Sequence, residues 1–391
     1  MARPQLEAAL RRDLHDEHAW SVFGDLLAAE GDSRGELIAL EQRAAACERP
    51  FERSVLEHRA AELFEREHRR WLGPLADAGI ELTWIRGFVT KAVITRPSLA
   101  SLESLVSLPT AALLGKIECV GPRSLAPIVK ALRGRPIAAL GLRLAPSSSS
   151  SIGSIEQLAE LDQLEALEVE GGTARGIEAL AELPHLRRLG LRRFDGDLAG
   201  LARGFTQLRS LELSARANVT QLGPEALTPL AQLTDLRELV LSDGGWEQLE
   251  PLVDLRALER LDLRSTDVSN LEPLAAMTDM RELDLSGCTH LTNLEPIAAL
   301  TKLERLEIGY TRVRQLRPLA GLRALQVVEL AGTPVHDLSP LFELPKLRKV
   351  GVAACEIDSV QPLLDRAVLI VGRRPPEPSW RDLAEGLLRE S

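Results

Sequence analysis

Residues 258–274 read LERLDLRSTDVSNLEPL. Leu258, Leu261 and Leu263 have the spacing of a short core strand, yet Asp262 stands between two of them, and Asp is among the poorest strand formers. The phrase then recurs. Copies of L-x-x-L-x-L start at Leu164, Leu186, Leu208, Leu236, Leu258, Met280, Leu303, Leu325 and Leu347, at intervals of 22, 22, 28, 22, 22, 23, 22 and 22 residues. Weaker copies precede them at Val89-Ala92-Ile94, Leu114-Ile117-Cys119 and Ile137-Leu140-Leu142, so about twelve coils cover residues 77–372. A unit this short cannot bury its own apolar face and must stack on its neighbours, which predicts a solenoid.

The pattern resembles the leucine-rich repeat family, in particular its short 22-residue class typified by internalins. The segment NLEPLAAMTDMRELDLSGCTHLTNLEPIAALTKLERLEI (270–308) carries that resemblance. The likeness implies an α/β fold in which each coil gives one strand to a parallel concave sheet. The convex side is then the LxPLxxL segment, such as Leu271-Pro273-Leu274-Met277, where a Pro early in a helical turn lacks an N–H that would be unpaired anyway. The likeness also implies an inward turn position at Thr266, Cys288, Thr311, Thr333 and Cys355, with side chains that serve the turn backbone. Cys288, Cys355 and the strand residue Cys119 are accordingly expected to be structural, and Trp246, aligned with Val268, Val313, Val335 and Ile357, to be core.

Between strand leucines the side chains alternate outward. The central outward position holds Glu168, Gly190, Glu212, Val240, Asp262, Asp284, Glu307, Glu329 and Gly351. With strands about 4.8 Å apart, Asp262, Asp284, Glu307 and Glu329 should form an acidic row, flanked by Arg260, Arg264, Arg305 and Lys349. Like charges facing across strands disfavour a sheet. Tyr310, the only tyrosine, falls outward at the sheet's edge, where an exposed aromatic beside charges suits an interface anchor. Two readings stand side by side. The charges keep the sheet face soluble, or Glu212, Arg260, Asp262, Arg264, Asp284, Arg305, Glu307, Tyr310 and Glu329 are the footprint of a protein partner, as the family likeness suggests.

Residues 1–76 do not repeat and read as a small all-helical domain: QLEAALRRDL, DEHAWSVFGDLLAAE, RGELIALEQRAAAC, then a charged stretch ending near EREHRRW. Trp20, Phe23, Leu26 and Leu27 share one helical face, Gly31 can end that helix, and Asp32 or Ser33 can cap the next. FGDLLAAEGDSRGELIALE (23–41) resembles the bacterial repeat-companion domain through Asp25, Gly31, Asp32, Arg34, Gly35 and Glu36, with Leu26 where that family usually has Trp. That likeness implies architecture only. WLGPLADAGIELTWIRGFV (71–89) is expected to lead into the first strand and cap the solenoid, and VLIVG (368–372) to close its sheet. Residues 373–391 begin with a Pro-rich break and end in WRDLAEGLLRES, an amphipathic segment with Trp380, Leu383 and Leu387 on one side, which either caps the last coil or docks in a partner. APSSSSSIGS (145–154) and SARANVTQLGPEALT (214–228) are expected to be loop insertions.

Composition narrows function. Aromatics are 3% of the chain, unusual for a deep-pocket enzyme and normal for a repeat protein, and a formal net charge of −10 opposes phosphate-driven nucleic-acid binding. No apolar run is long enough to span a bilayer. Four scattered cysteines without a CxxC pair fit a reducing compartment, and the N-terminal MARPQLEAALRRDLHDEH has no leader-like apolar stretch, so a cytoplasmic location is expected. No phosphate loop, nucleophile elbow or HExxH is present. His15 and His18 read as solvated helix-start residues, and no catalytic residue, metal or cofactor is expected. The expectation is a protein-interaction scaffold or adaptor. Alternatives are a regulator of an enzyme, such as an inhibitor or GTPase-activating partner, and a surface ligand binder.

Overall fold

The computed structural model describes residues 2–144, 154–171, 176–194, 201, 204–215, 227–242 and 244–372. The serine-rich run, most of the 214–228 loop and the terminal segment 373–391 lie outside them. The chain packs as two compact units, Met1–Gly196 and Asp197–Ser391.

The first unit opens with four helices: α1 (Arg3–Arg12), α2 (Glu17–Ala29), α3 (Ser33–Ala46) and α4 (Pro50–Leu72). Asp16 caps α2 by accepting from the Ala19 N–H at 2.9 Å. Gly31, at φ +75°, turns the chain out of α2, and Asp32 then accepts from the Arg34 N–H at 3.0 Å to start α3. Trp20, Phe23 and Leu27 are fully buried on one face of α2, with Leu26 packed at its margin. Their cluster includes Leu6 and Leu10 of α1, Ile38 of α3, and Phe88 from the first repeat strand. The Trp20, Phe23 and Phe88 rings lie 5.2–6.3 Å apart between centroids. Each such buried ring contributes about 1.5–3 kcal/mol. The helices are therefore bonded to the repeats by a shared aromatic core.

Of the residues singled out in α2 and α3, Arg34 and Gly35 are buried, whereas Asp25 and Glu36 are exposed. Arg34 is buried, forms a forked ion pair with Asp32 (Nε at 2.9 Å) and places its guanidinium 4.5 Å above the Phe88 ring. A Cβ on Gly35 would stand 2.5 Å from the Ala28 nitrogen and 2.7 Å from the Gly24 carbonyl, so α2 and α3 cross at backbone contact. Most of α4 is solvated, with Ala60, Leu63 and Leu72 buried.

One element departs from an all-parallel sheet. β1 (Glu81–Ile85) and β2 (Phe88–Thr95) form an antiparallel hairpin. Its two-residue turn, Arg86-Gly87, has φ of +50° and +79°, the left-handed pair that a twisted hairpin requires. Arg86 also lies over Trp20 and pairs with Glu17 at 2.6 Å. From β2 onward the strands are parallel: β3 (Lys116–Val120), β4 (Ala139–Arg143), β5 (Ala166–Glu170) and β6 (Arg188–Phe194), each paired with the one before it. The returns after β2 and β3 are the short helices α5 (Leu99–Val106) and α6 (Ala126–Leu132).

The second unit has shorter pieces: β7 (Ser210–Ala215), β8 (Glu238–Val240), β9 (Arg260–Asp262), β10 (Glu282–Asp284), β11 (Arg305–Glu307), β12 (Val327–Glu329), β13 (Lys349–Gly351) and β14 (Leu369–Val371), with β8 to β14 each parallel to the strand before it. Between strands the chain returns through single 3-10 turns, such as Glu272–Ala276 and Glu295–Ala299, with Pro in the first positions. One helix, α7 (Gln361–Leu364), lies before β14. Leu258, Leu263, Val268, Leu274, Met277 and Met280 of one coil are all 0% exposed, so every inward slot is filled.

The inward turn position behaves as a polar spine. Thr266, Thr311 and Thr333 are buried, and their hydroxyls donate to the Leu263, Ile308 and Leu330 carbonyls at 2.7, 2.8 and 2.7 Å. The thiols of Cys288 and Cys355 instead reach back one coil, to the Leu263 carbonyl at 3.2 Å and the Leu330 carbonyl at 3.0 Å. The Leu263 and Leu330 carbonyls thus each accept from a hydroxyl and a thiol, and Leu330 also from the Thr333 N–H at 3.0 Å. Burial raises the Cys288 thiol above the ordinary cysteine range and pushes Cys119 up to about 12. Trp246 is a core residue, 2% exposed.

Candidate functional site

The outward sheet face of the second unit has the register that the repeat implies. Val240, Asp262, Asp284, Glu307, Glu329 and Gly351 are successive partners across the parallel strands, with Glu212 opposite Val240. The acids of this row do different things. Oδ1 of Asp262 accepts from the Arg264 N–H at 3.0 Å, and Oδ1 of Asp284 accepts from the Ser286 N–H at 2.9 Å. An Asp at a strand end thus closes the turn with its side chain, which accounts for a poor strand former in that place.

Cations then neutralise most of the row. The Arg264 guanidinium lies 2.6 Å from Asp262 and 3.3 Å from Asp284, bridging two coils, and the hydrogen bond it donates to Asp262 raises its pKa further. Arg305 pairs with Glu307 of its own strand at 2.7 Å. Arg260 reaches along the next column to Glu282 at 3.2 Å. Burial is the main cause that raises the Asp284 carboxyl above the usual range. Glu307 and Asp262 add to it, and the Ser286 hydrogen bonds oppose it. A shallow depression of about 240 Å³ lies over Val240, Asp262 and Asp284.

Beside this face, one residue before the start of each strand, runs an alternating column: Arg237, Glu259, Arg281, Glu304. Arg237 pairs with Glu259, Arg281 with Glu259 at 3.9 Å and with Glu304 at 2.7 Å, and Gln326 continues to Glu304 at 3.0 Å.

Glu329 and Tyr310 stand apart from this internal pairing. No ion pair of Glu329 occurs among the described residues, and its carboxylate extends over the bare backbone of Gly351, where a Cβ would collide with it. Tyr310 is 66% exposed. It occupies a backbone slot, two residues past the last inward strand position, that is left-handed in many coils: Arg96, Gly121, Gly171, Arg193, Ser265, Gly287, Tyr310, Gly332 and Ala354 all have positive φ. At φ +58° an aromatic residue bears strain that glycine does not. The ring lies along Gly332, where a Cβ would come within 2.7 Å of it. Neighbouring coils thus leave room, at Gly332 and Gly351, for the Tyr310 and Glu329 side chains, for which no ion pair occurs among the described residues.

The first unit has an outward-facing cluster that strand reading of its weaker copies did not single out. Glu118, central on β3, is buried although it faces outward, and meets Lys91 at 2.7 Å, Lys116 at 3.5 Å and Arg143 at 3.1 Å. Burial pushes its carboxyl up, but the three cations outweigh that and hold it below its ordinary value. The signal was available in Leu114-Ile117-Cys119, whose central outward position is Glu118. Among the described residues no group of three or more His, Cys, Asp or Glu could hold a metal ion, and no helix is long and apolar enough to cross a membrane. His15, His18, His290 and His336 are exposed.

Residues 256–299 match a family model described as leucine-rich repeats in two copies. No curated protein matches the chain. The crystal structure of an internalin (inlF) from Listeria monocytogenes is similar over 78% of this chain and 80% of that one, at 21% identity and a TM-score of 0.50, a likeness of fold. The structure of internalin C2 (inlC2) from the same organism covers 55% of this chain and 82% of its own, at 29% identity and a TM-score of 0.41.

Proposed function

We propose that this leucine-rich repeat chain is a cytoplasmic scaffold or adaptor that binds a protein partner on the outward sheet face of its second unit. The observation that carries the reading is Tyr310: an exposed aromatic held in a left-handed slot where glycine is the unstrained choice. Ser265 and Ala354 take the same backbone, so it is the exposed ring placed there, not the strain alone, that supports work outside the fold. Tyrosine supplies large contact area with little rotamer entropy, and anchors of this type dominate interface energetics.

Glu329, one coil on, adds a carboxylate with no cation of its own among the described residues, so the partner group that suits this corner is a Lys or Arg side chain. It meets a ring face and a carboxylate together. Around it Asp262, Arg264, Asp284, Arg305 and Glu307 form a charge-paired surround. Arg260 and Glu212 lie further along the face. Paired charges give register and exclude wrong partners more than they add affinity. The four thiols, all free, support a reducing compartment.

The test is capture of partners from the native cell by the full chain, identified by mass spectrometry and compared with Tyr310→Ala, Glu329→Lys and the control Arg317→Glu on the 3-10 side. A partner of this face binds the control normally and loses about 2 kcal/mol, roughly 30-fold in Kd, with Tyr310→Ala. Equal binding of all variants refutes the assignment.

A further inference from the structure

The loop that leaves each strand of the second unit alternates inward and outward side chains before it reaches the next turn. In the coil of β11, Thr311 and Val313 are buried while Arg312 and Arg314 are exposed. Two coils on, the same outward positions, beside Cys355 and Ile357, hold Glu356 and Asp358, both exposed. The coil between them, that of β12, has Pro334 and His336 there. None of Arg312, Arg314, Glu356 and Asp358 forms an ion pair among the described residues. Elsewhere in this unit the charges are matched from coil to coil, as in Arg237, Glu259, Arg281 and Glu304. On this same edge Asp267 lies 4.0 Å from His290 of the next coil. The arginines and the acids are kept from such a match by the coil between them. At about 4.8 Å per coil they stand roughly 10 Å apart.

We propose that this edge binds the same edge of a second copy of the chain. Its charge pattern is self-complementary. A two-fold axis laid along the loop of the middle coil exchanges the coils on either side and keeps each residue's place along the loop. Arg312 then faces Glu356 of the second copy and Arg314 faces its Asp358, and the same holds in reverse. The middle coil faces itself, and at the two positions concerned it brings no lysine, arginine or carboxylate. Asp337, next in line, turns its carboxylate back to the Ser339 N–H and hydroxyl, both at 2.8 Å. The backbone of the edge is fixed: the Asp358 N–H donates to the His336 carbonyl at 3.0 Å, and His336 Nδ1 lies 2.6 Å from the Glu356 carbonyl.

The change of sign along the edge selects the occupant. A polyanion drawn to the arginines would meet the acids about 10 Å away, whereas a copy of this chain satisfies both. A patch three coils wide is below the ordinary interface size and its pairs are exposed, so the dimer is weak and salt-sensitive. None of the sheet-face residues is used, so this pairing does not rest on the role given to Tyr310 and Glu329.

Sedimentation velocity of the full chain tests it. The parent is expected to dimerise at concentrations on the order of 10–300 µM in low salt, and about tenfold more weakly in about 0.5 M salt. Arg312→Glu with Arg314→Glu leaves acids at both ends of the edge, and Glu356→Arg with Asp358→Arg leaves arginines at both. Each doubly substituted chain alone is expected to dimerise roughly 30-fold more weakly than the parent, because like charges then face each other. An equal mixture of the two is expected to regain the parent's strength, since acids of one chain again face arginines of the other. A folding defect does not produce that recovery. A parent that stays monomeric over this range overturns the proposal. So do substituted chains that dimerise like the parent, and so does a mixture no more dimeric than its components.

Discussion

Replacing Gly35 by Ala tests whether the residues marked out in α2 and α3 are a packing device. The added Cβ would stand 2.5 Å from the Ala28 nitrogen and 3.0 Å from its Cα, and both are helix backbone that cannot rotate aside. Closest approach at van der Waals contact is about 3.4 Å, so α2 and α3 must part by roughly 0.9 Å. That movement lifts Trp20, Phe23 and Leu27 from Phe88, in a cluster where each is 0% exposed. Overpacking of this kind costs about 3 kcal/mol, and the better helix propensity of Ala returns up to about 1 kcal/mol. The net loss of about 2 kcal/mol corresponds to a fall in Tm of roughly 4–8 °C for a unit of this size.

Two other glycines calibrate the assay. At Gly24 the new Cβ would meet the Ile38 Cγ2 at 3.0 Å, a side-chain atom that can yield, so Gly24→Ala is expected to be nearly neutral. At Gly31 nothing lies within 4 Å, and the change costs only the left-handed backbone, about 1 kcal/mol. Thermal unfolding followed by tryptophan fluorescence reads this unit well, because Trp20, Trp71 and Trp84 all belong to it. A Gly35→Ala chain that melts with Gly24→Ala, or above Gly31→Ala, refutes the backbone-contact argument.

Other expectations concern the second unit. Asp284 has a raised carboxyl, so its ionisation costs stability at neutral pH, and the cost lifts as pH falls through the raised folded value toward the ordinary 3.8. Asp284→Asn keeps the acceptor for the Ser286 N–H and should melt higher than the parent at pH 7, with the advantage gone below pH 3.8. A Tm difference that does not change with pH would count against this assignment. Thr311→Val preserves shape but leaves the buried Ile308 carbonyl without its 2.8 Å donor, and should cost about 1–3 kcal/mol in denaturant unfolding.

Much of this was legible because a repeat converts one strand assignment into many. Once Leu261 and Leu263 point inward, Asp262 points outward, and a period of 22 residues carries the alignment to Asp284. The buried Trp246 and the turn spine of Thr and Cys follow from the same register, and the Asp32 cap from helix start signals outside the repeats. What the residue pattern hid was choice among near neighbours. Arg264 bridges Asp262 and Asp284, whereas Arg305 turns to Glu307 in its own strand, and only side-chain geometry separates the two. The β1–β2 hairpin was hidden because its turn, Arg86-Gly87, has a weak composition signal inside a passage that reads as a linker. Glu118 was hidden because Gly, Ala and Cys dilute the leucine pattern around it. The position of Asp262 was clear, but its bond to the Arg264 N–H was not, so an acid read either as a solvated face or as part of a footprint also closes its own turn.

The alternating column Arg237, Glu259, Arg281, Glu304 gives the array a parity. Each charge is matched by the coil directly after it, so the sequence returns to itself only after two coils. Excising a single coil, residues 259–280 for example, would set Arg237 beside Arg281 and end the alternation, whereas excising two restores Arg beside Glu. In this stretch the heritable unit, the piece that can be duplicated or lost without placing like charges in contact, is a pair of coils.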